Sequence, residues 1–462
     1  MLPGILQTIR SGMAAVLFLG LWGSEAAEPV TSVPDGVRTA FQLAPFYQKH
    51  LSVGGLPVVG STNVSDAAIQ EAAWIVWQML SGRPELLKAM AAAHTRLAVM
   101  AWNEVTTDVP EHAHLEPKVY WDRRARGLGA TPDAPAVSCA EENLLGFPGD
   151  PYSTENICIH EFAHAVHEMG LRSVDPTFDA RLAAAYHSAT NRGLWRNTYA
   201  ATSRHEYWAE GVQSWFDNNR ANDALHNDIS TRAKLRAYDP ALAALCAEVF
   251  GDGAWRYHKP ADRPAAERAH LAGYDPARAP TFTWREAPIG DSPRVLVQTT
   301  AGEFELELDA RAAPKTVRNF LRYANAGFYS DGEFFRTVTA SNQPTNAVRI
   351  AVIQARASLS RTNEFPAPIA LERTRDTGLH HRDGTISMAR GGPDTAQDHV
   401  FLCIGDQPEL DFGGRRNPDG QGFAAFGHVV RGMEVVRAIH ASPAEGQSLK
   451  PPVKIQRVIR TR

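Results

Sequence analysis

The sequence predicts a multidomain chain, with a mainly helical α+β body first and an all-β body second. Three observations carry this expectation. Apolar residues recur at helical spacing over much of Ser65–Asp252, the stretch 260–290 turns rich in Pro and Ala, and after Arg294 the pattern alternates with period two. A length of 462 residues gives room for two to four domains. The apolar fraction of 44% and charged fraction of 21% are those of a folded globular chain. With a net charge of −4, nothing points to nucleic acid or an anionic membrane surface as partner.

Residues 1–27 read as a signal peptide. Arg10 precedes the apolar run Met13–Trp22, and Ser24-Glu25-Ala26 offers a small-x-small cleavage pattern. The run is short for a bilayer span, with an uncleaved anchor as the alternative. Cleavage implies export, to the periplasm or the cell exterior, with no stable membrane insertion afterwards. Residues 28–259 form the first domain. Asp66–Leu80 has helical periodicity and stops at Gly82-Arg83-Pro84; a second helix starts with Pro84 in its first turn. Leu97–Met100 is strand-like, Val137–Pro151 reads as an ordered loop, and helices dominate from Asn156 to about Asp252, so any sheet is small. Cys139 and Cys158 flank the entry to the Asn156 helix. They form either a disulfide, worth roughly 3 kcal/mol for a loop of about 20 residues, or two buried thiols. Cys246 and Cys403 read as core. Residues 260–290 are the linker and 291–462 the second domain, in which Arg294–Thr300 and Glu303–Leu308 make a hairpin and Ala313–Tyr323 an amphipathic helix.

The most specific motif is His160-Glu161-Phe162-Ala163-His164. Residues four apart share a helix face, so both imidazoles can bind one zinc ion, and Glu161 is placed to take a proton from water at the metal. Downstream, Glu206 and Glu210 are again one turn apart. Glu206 can supply the third ligand, and Glu210 can accept the second N–H of a ligating histidine. His205 is the competing ligand, although it faces about 100° away on a helix. His167, three residues after His164, reads as packing or support. Tyr199 can donate to the oxyanion of a tetrahedral intermediate.

These blocks resemble the gluzincin zinc metallopeptidases of the anthrax-lethal-factor type. The resemblance implies a zincin-like fold, Zn2+ held by His160, His164 and Glu206, Glu161 as base, Tyr199 as oxyanion donor and Glu210 as support. A decayed zincin scaffold, or coincidence of the pattern, is the alternative.

The second domain resembles the cyclophilins. The resemblance rests on Ala313–Phe320, Gly327–Arg336, Gly384–Pro393 and Phe426–Val436, in family order. It implies a closed eight-stranded antiparallel barrel with two helices, acting without a cofactor on polypeptides that contain X–Pro bonds. Arg336 matches the catalytic arginine, Gln354 the backbone-binding glutamine, Met388 and Phe401 part of the apolar floor, and His399 stands where a second glutamine is expected. Departures are the long segment Thr337–Ile350, Ala351 in place of an aromatic, Phe423 in place of a histidine, and Glu409 or Leu410 at the aromatic lid. They predict a shallow proline pocket. The combined expectation is an exported protein with a prolyl isomerase domain and a zinc-peptidase-like domain; the alternative is a non-catalytic peptide-binding scaffold.

Overall fold

The computed structural model describes residues 29–461 apart from 224, 287 and 346, so the expected signal peptide lies outside the described residues. The first body is built on a six-stranded mixed sheet. Its strands are β1 (Thr31–Ser32), β2 (Lys49–Val53), β3 (Leu56–Gly60), β4 (Arg96–Met100), β5 (Gly127–Leu128) and β6 (Ala136–Ala140), in the order β1-β2-β3-β4-β6-β5. The β3–β4 and β4–β6 pairs are parallel and the others antiparallel.

The sheet is larger than the sequence suggests, and the expected loop at Val137–Pro151 is corrected to strand β6 followed by a short helix, Glu141–Leu145. Every residue of β3, β4 and β6 is buried. A strand covered on both faces shows no alternation, so its pattern does not announce it.

The helices that matter for the site are α1 (Asp66–Leu80), α2 (Pro84–Ala92), α3 (Ile157–Ala165), α4 (Phe178–Asn191), α5 (Arg204–Trp215) and α6 (Pro240–Phe250). Asn156 caps α3 by accepting from the Ile159 amide at 3.0 Å, and Ser203 caps α5 by accepting from Glu206 at 3.1 Å. The two helices lock together where Trp208 Nε1 donates to the Ala163 carbonyl at 2.9 Å. One apolar core, which includes Leu51, Ile75, Phe162, Trp208 and Leu271, joins them to the sheet.

The stretch expected as linker is not free. Arg263 grips Glu71 of α1 through two hydrogen bonds of 2.5 and 2.9 Å, and His270 Nε2 reaches the same carboxylate at 2.8 Å. His270 also stacks on Trp74 at 4.9 Å, and the Phe282 amide donates to the Pro148 carbonyl at 2.7 Å. Buried anchors spaced between Pro and Ala residues bind this segment to the first body. Cys139 and Cys158 are free buried thiols in contact with each other.

The second body is a barrel. Strands β7 (Arg294–Thr299), β8 (Gly302–Leu308), β9 (Glu333–Val338), β10 (Val352–Arg356), β11 (Thr385–Met388), β12 (Val400–Cys403), β13 (Ala424–Arg431), β14 (Ala444–Glu445) and β15 (Ser448–Arg460) run in the order β14-β15-β7-β8-β13-β11-β12-β10-β9. Pairing of β15 with β9 closes eight of them into an antiparallel ring, with the two-residue β14 outside it. Closure removes free sheet edges. Two amphipathic helices, α7 (Pro314–Asn325) and α8 (Met433–His440), bury Phe320, Leu321, Val436 and Ile439 against the barrel core.

Candidate functional site

On α3, His160 and His164 face Glu206 of α5. His160 Nε2 lies 3.1 Å from Glu206 Oε2 and 3.2 Å from His164 Nε2, and His164 Nε2 lies 3.5 Å from Glu206 Oε2. Ligands about 2.0–2.1 Å from a tetrahedral zinc stand about 3.3–3.4 Å apart, so the spacing fits that ion. The tautomers agree. Gln213 turns its amide N–H2 toward Glu155 and the Asn156 carbonyl, and presents Oε1 to His160 Nδ1 at 2.8 Å. His160 therefore donates from Nδ1, and its Nε2 lone pair points at a carboxylate and at a second imidazole. Converging lone pairs are stable only with a cation or a proton among them. Burial opposes a charge on His160, yet hydrogen bonding to Glu206 and the nearby Glu161 and Glu210 carboxylates raise its pKa to about 10. The residues present fit a zinc ion.

These groups open into a cleft of about 710 Å³ that also exposes Glu161, Tyr199, Arg124, His226 and Arg457. Burial pushes the Glu161 carboxyl above its usual range, against the pull of His160 and His164. Burial and then the Glu206 charge raise the Tyr199 phenol, which stays protonated and able to donate. The β5 backbone lies flat against α3. A Cβ at Gly129 would stand 2.7 Å from His164 Cβ, and one at Gly127 would stand 3.0 Å from Glu161 Cγ.

The structure brings together the expected His160, His164, Glu206, Glu161 and Tyr199, and corrects one role. Glu210 Oε1 is 3.8 Å from His160 Nδ1, beyond hydrogen bonding. It is drawn away by Asn219, at 3.0 Å from Oε2, and by His226, at 3.5 Å from Oε1. Gln213, seven residues after Glu206 and so on the same face of α5, takes its place. That two-turn spacing was a signal available in the sequence; His226 comes from a loop and Arg124 from the end of the short helix Lys118–Arg124, and neither carried one. His205 points away from this cluster, to Glu168 at 3.2 Å.

On the barrel, adjacent strands place Gln354 opposite both Arg336 and Phe401. Cross-strand partners share a face, so these three side chains form a row. The Arg336 guanidinium donates to Gln354 Oε1 at 2.9 Å, and through Nε and Nη2 to Gln447 Oε1 at 2.9 and 2.5 Å. Both partners are neutral amides, so among the described residues no carboxylate hydrogen-bonds the guanidinium to quench its charge. Gln354 Nε2 also reaches His399 Nδ1 at 3.3 Å. Phe401 packs with Leu410, Ala389 and Phe423, the last edge-on at 5.5 Å. Leu410 rather than Glu409 joins this cluster, since Glu409 pairs with Arg415.

Met388 is a correction. It pairs with Val400 rather than Phe401, which turns its side chain into the barrel interior, where it is fully buried. The long segment 337–350 folds over its own Gln343, whose amide bonds Thr339 and Ile350, and Arg416 pins it from outside. Gln447, 111 residues from Arg336, was invisible to sequence reasoning.

Residues 294–460 match the family described as cyclophilin type peptidyl-prolyl cis-trans isomerase/CLD. Peptidyl-prolyl cis-trans isomerase A of Dickeya dadantii is 34% identical over 170 residues, covering 37% of this chain and 77% of that protein. Peptidyl-prolyl cis-trans isomerase cyp18 of Streptomyces antibioticus is 33% identical over 166 residues, covering 36% and 93%. Through its C-terminal barrel, this chain belongs to the cyclophilin-type peptidyl-prolyl cis-trans isomerase family.

Proposed function

We propose that the barrel catalyses cis/trans isomerisation of X–Pro bonds, with Arg336 as the catalytic residue. The observation that carries this is the Arg336 guanidinium, fixed by two neutral amides beside an apolar patch that contains Phe401. The barrier is about 20 kcal/mol because the amide is conjugated. A cation beside the prolyl nitrogen favours the twisted, pyramidal amide by donating an N–H to its lone pair. Gln354 and His399 are placed to hold the peptide backbone, and Phe401 the proline ring. Arg336→Ala in the full chain tests this. It should lower the isomerisation rate constant by about 10²-fold or more while circular dichroism stays unchanged; an unaltered rate would remove Arg336 from the role.

We further propose that the first body is a zinc-dependent peptidase of gluzincin type, acting on exposed polypeptide after export. Its support is the convergence of His160, His164 and Glu206. A zinc ion held there would act as a Lewis acid toward a peptide carbonyl and water. Glu161 then accepts the water proton, and Tyr199 donates to the developing oxyanion. Gln213 keeps His160 in its ligating tautomer. Glu161→Gln should retain zinc and lose peptide cleavage, read by mass spectrometry on a peptide mixture; equal cleavage by variant and wild type would end the assignment.

A further inference from the structure

We propose that His167, Glu168 and His205 form a second divalent-cation site, suited to Zn2+, at the rim of the same cleft and sharing no residue with the first. The proposal does not depend on peptidase activity.

His167 is 3% exposed, and its Nδ1 is buried without a hydrogen-bond partner among the described residues. Its other nitrogen, Nε2, lies 3.1 Å from Asp179 Oδ1, and Arg204 Nε fixes that carboxylate at 2.9 Å. A carboxylate only accepts, so Nε2 carries the hydrogen and Nδ1 offers a lone pair. That lone pair is 3.6 Å from Glu168 Oε1, another acceptor, so the two cannot satisfy each other. The same Glu168 oxygen is 3.2 Å from His205 Nδ1, and the three residues bring one ligand atom each within 4.8 Å of one another. A His205–Glu168 hydrogen bond alone would leave the His167 nitrogen orphaned, an uncommon and costly state for a buried group. A cation bound by all three satisfies it.

Asp179 stands to His167 as Gln213 stands to His160: each fixes one ring N–H so that the other nitrogen aims at a shared point. His167 and Glu168 also lie in the π-helical turn Val166–Leu171, a geometry that occurs mostly at functional sites. Two imidazoles and one carboxylate form a borderline donor set, matched to zinc and its neighbours rather than to calcium or magnesium. Glu168 and His205 are 21% and 38% exposed, so the ion enters from the cleft and completes its coordination with water. Arg172, 3.2 Å from the second Glu168 oxygen, and Arg204 add positive charge nearby. The second site should therefore bind more weakly than the first.

The full chain, stripped of metal, is titrated with Zn2+ alone against a chromophoric chelator. Wild type should take up two equivalents in two steps. His205→Ala, at a partly exposed position, should lose the weaker equivalent and keep the tighter one. The His160→Ala, His164→Ala double variant should keep one equivalent, which disappears when Glu168→Gln is added. Asp179→Asn should weaken the second step by about 10- to 100-fold. Two equivalents in His205→Ala, or a single equivalent in wild type that vanishes in the double variant, would overturn the second site. The latter result would leave the first site standing. One equivalent lost in His205→Ala but kept in the double variant would instead support the second site and remove the first.

Discussion

At the scale of single residues, Gln213 decides how His160 presents itself. Its Oε1 holds the Nδ1–H at 2.8 Å and leaves Nε2 free to ligate. Gln213→Ala should therefore weaken zinc binding at the first site by about 10- to 100-fold, measured by chelator competition in a His205→Ala background. Glu210→Ala should weaken it less, because that carboxylate is spent on Asn219 and His226. A larger loss from Glu210→Ala would restore the role the sequence suggested for it. His112 governs a separate, pH-dependent effect. It is 3% exposed, its Nε2 lies 3.0 Å from Ser138 Oγ, and burial followed by the charge of His114 lowers its pKa to about 4. The unfolded chain protonates this imidazole below about 6.5, whereas the folded chain resists until about 4. Stability should thus fall as pH drops through that window, by up to about 3 kcal/mol from this group. Denaturant melts at several pH values should show a shallower slope for His112→Gln; identical slopes would contradict it.

Individual elements differ in how openly the sequence declares them. Helix α1 was legible from its periodicity and from the Gly82-Arg83-Pro84 stop after it. The α3 motif was legible because four-residue spacing has one geometric meaning on a helix. Strand β6 was not, since Ala136–Ala140 is buried on both faces and lacks alternation. Met388 departs from its expected place on the pocket floor because one step of strand register exchanges the pocket face for the barrel interior. The Pro and Ala content of the segment after Tyr257 predicts a linker, while its few anchors decide its place. Those anchors meet at Glu71, which is fully buried with Arg263 and His270. Glu71→Ala leaves that guanidinium without a counter-charge and should cost about 3–5 kcal/mol in equilibrium unfolding. A cost below about 1 kcal/mol, the range of exposed ion pairs, would mean the segment is held by something else.

Across the whole molecule, the apolar core of the first body and that of the barrel stand behind chemically unrelated candidate sites. Among the described residues no helix is long and apolar enough to cross a membrane. Both proposed activities address polypeptide, one at prolyl bonds and one at the peptide bond, so their common substrate would be exposed chain. Among the described residues the His160 and Arg336 sites share no ligand or hydrogen-bond partner, so they should fail separately: His160→Ala should leave isomerisation intact, and Arg336→Ala should leave zinc content intact. The most direct measurement is NMR exchange spectroscopy on a short proline-containing peptide, with the full-length protein and its Arg336→Ala variant. Wild type should accelerate cis/trans exchange, and the variant should return it close to the rate of the peptide alone with its zinc unchanged. No acceleration by wild type, or equal acceleration by both proteins, would contradict catalysis by this barrel.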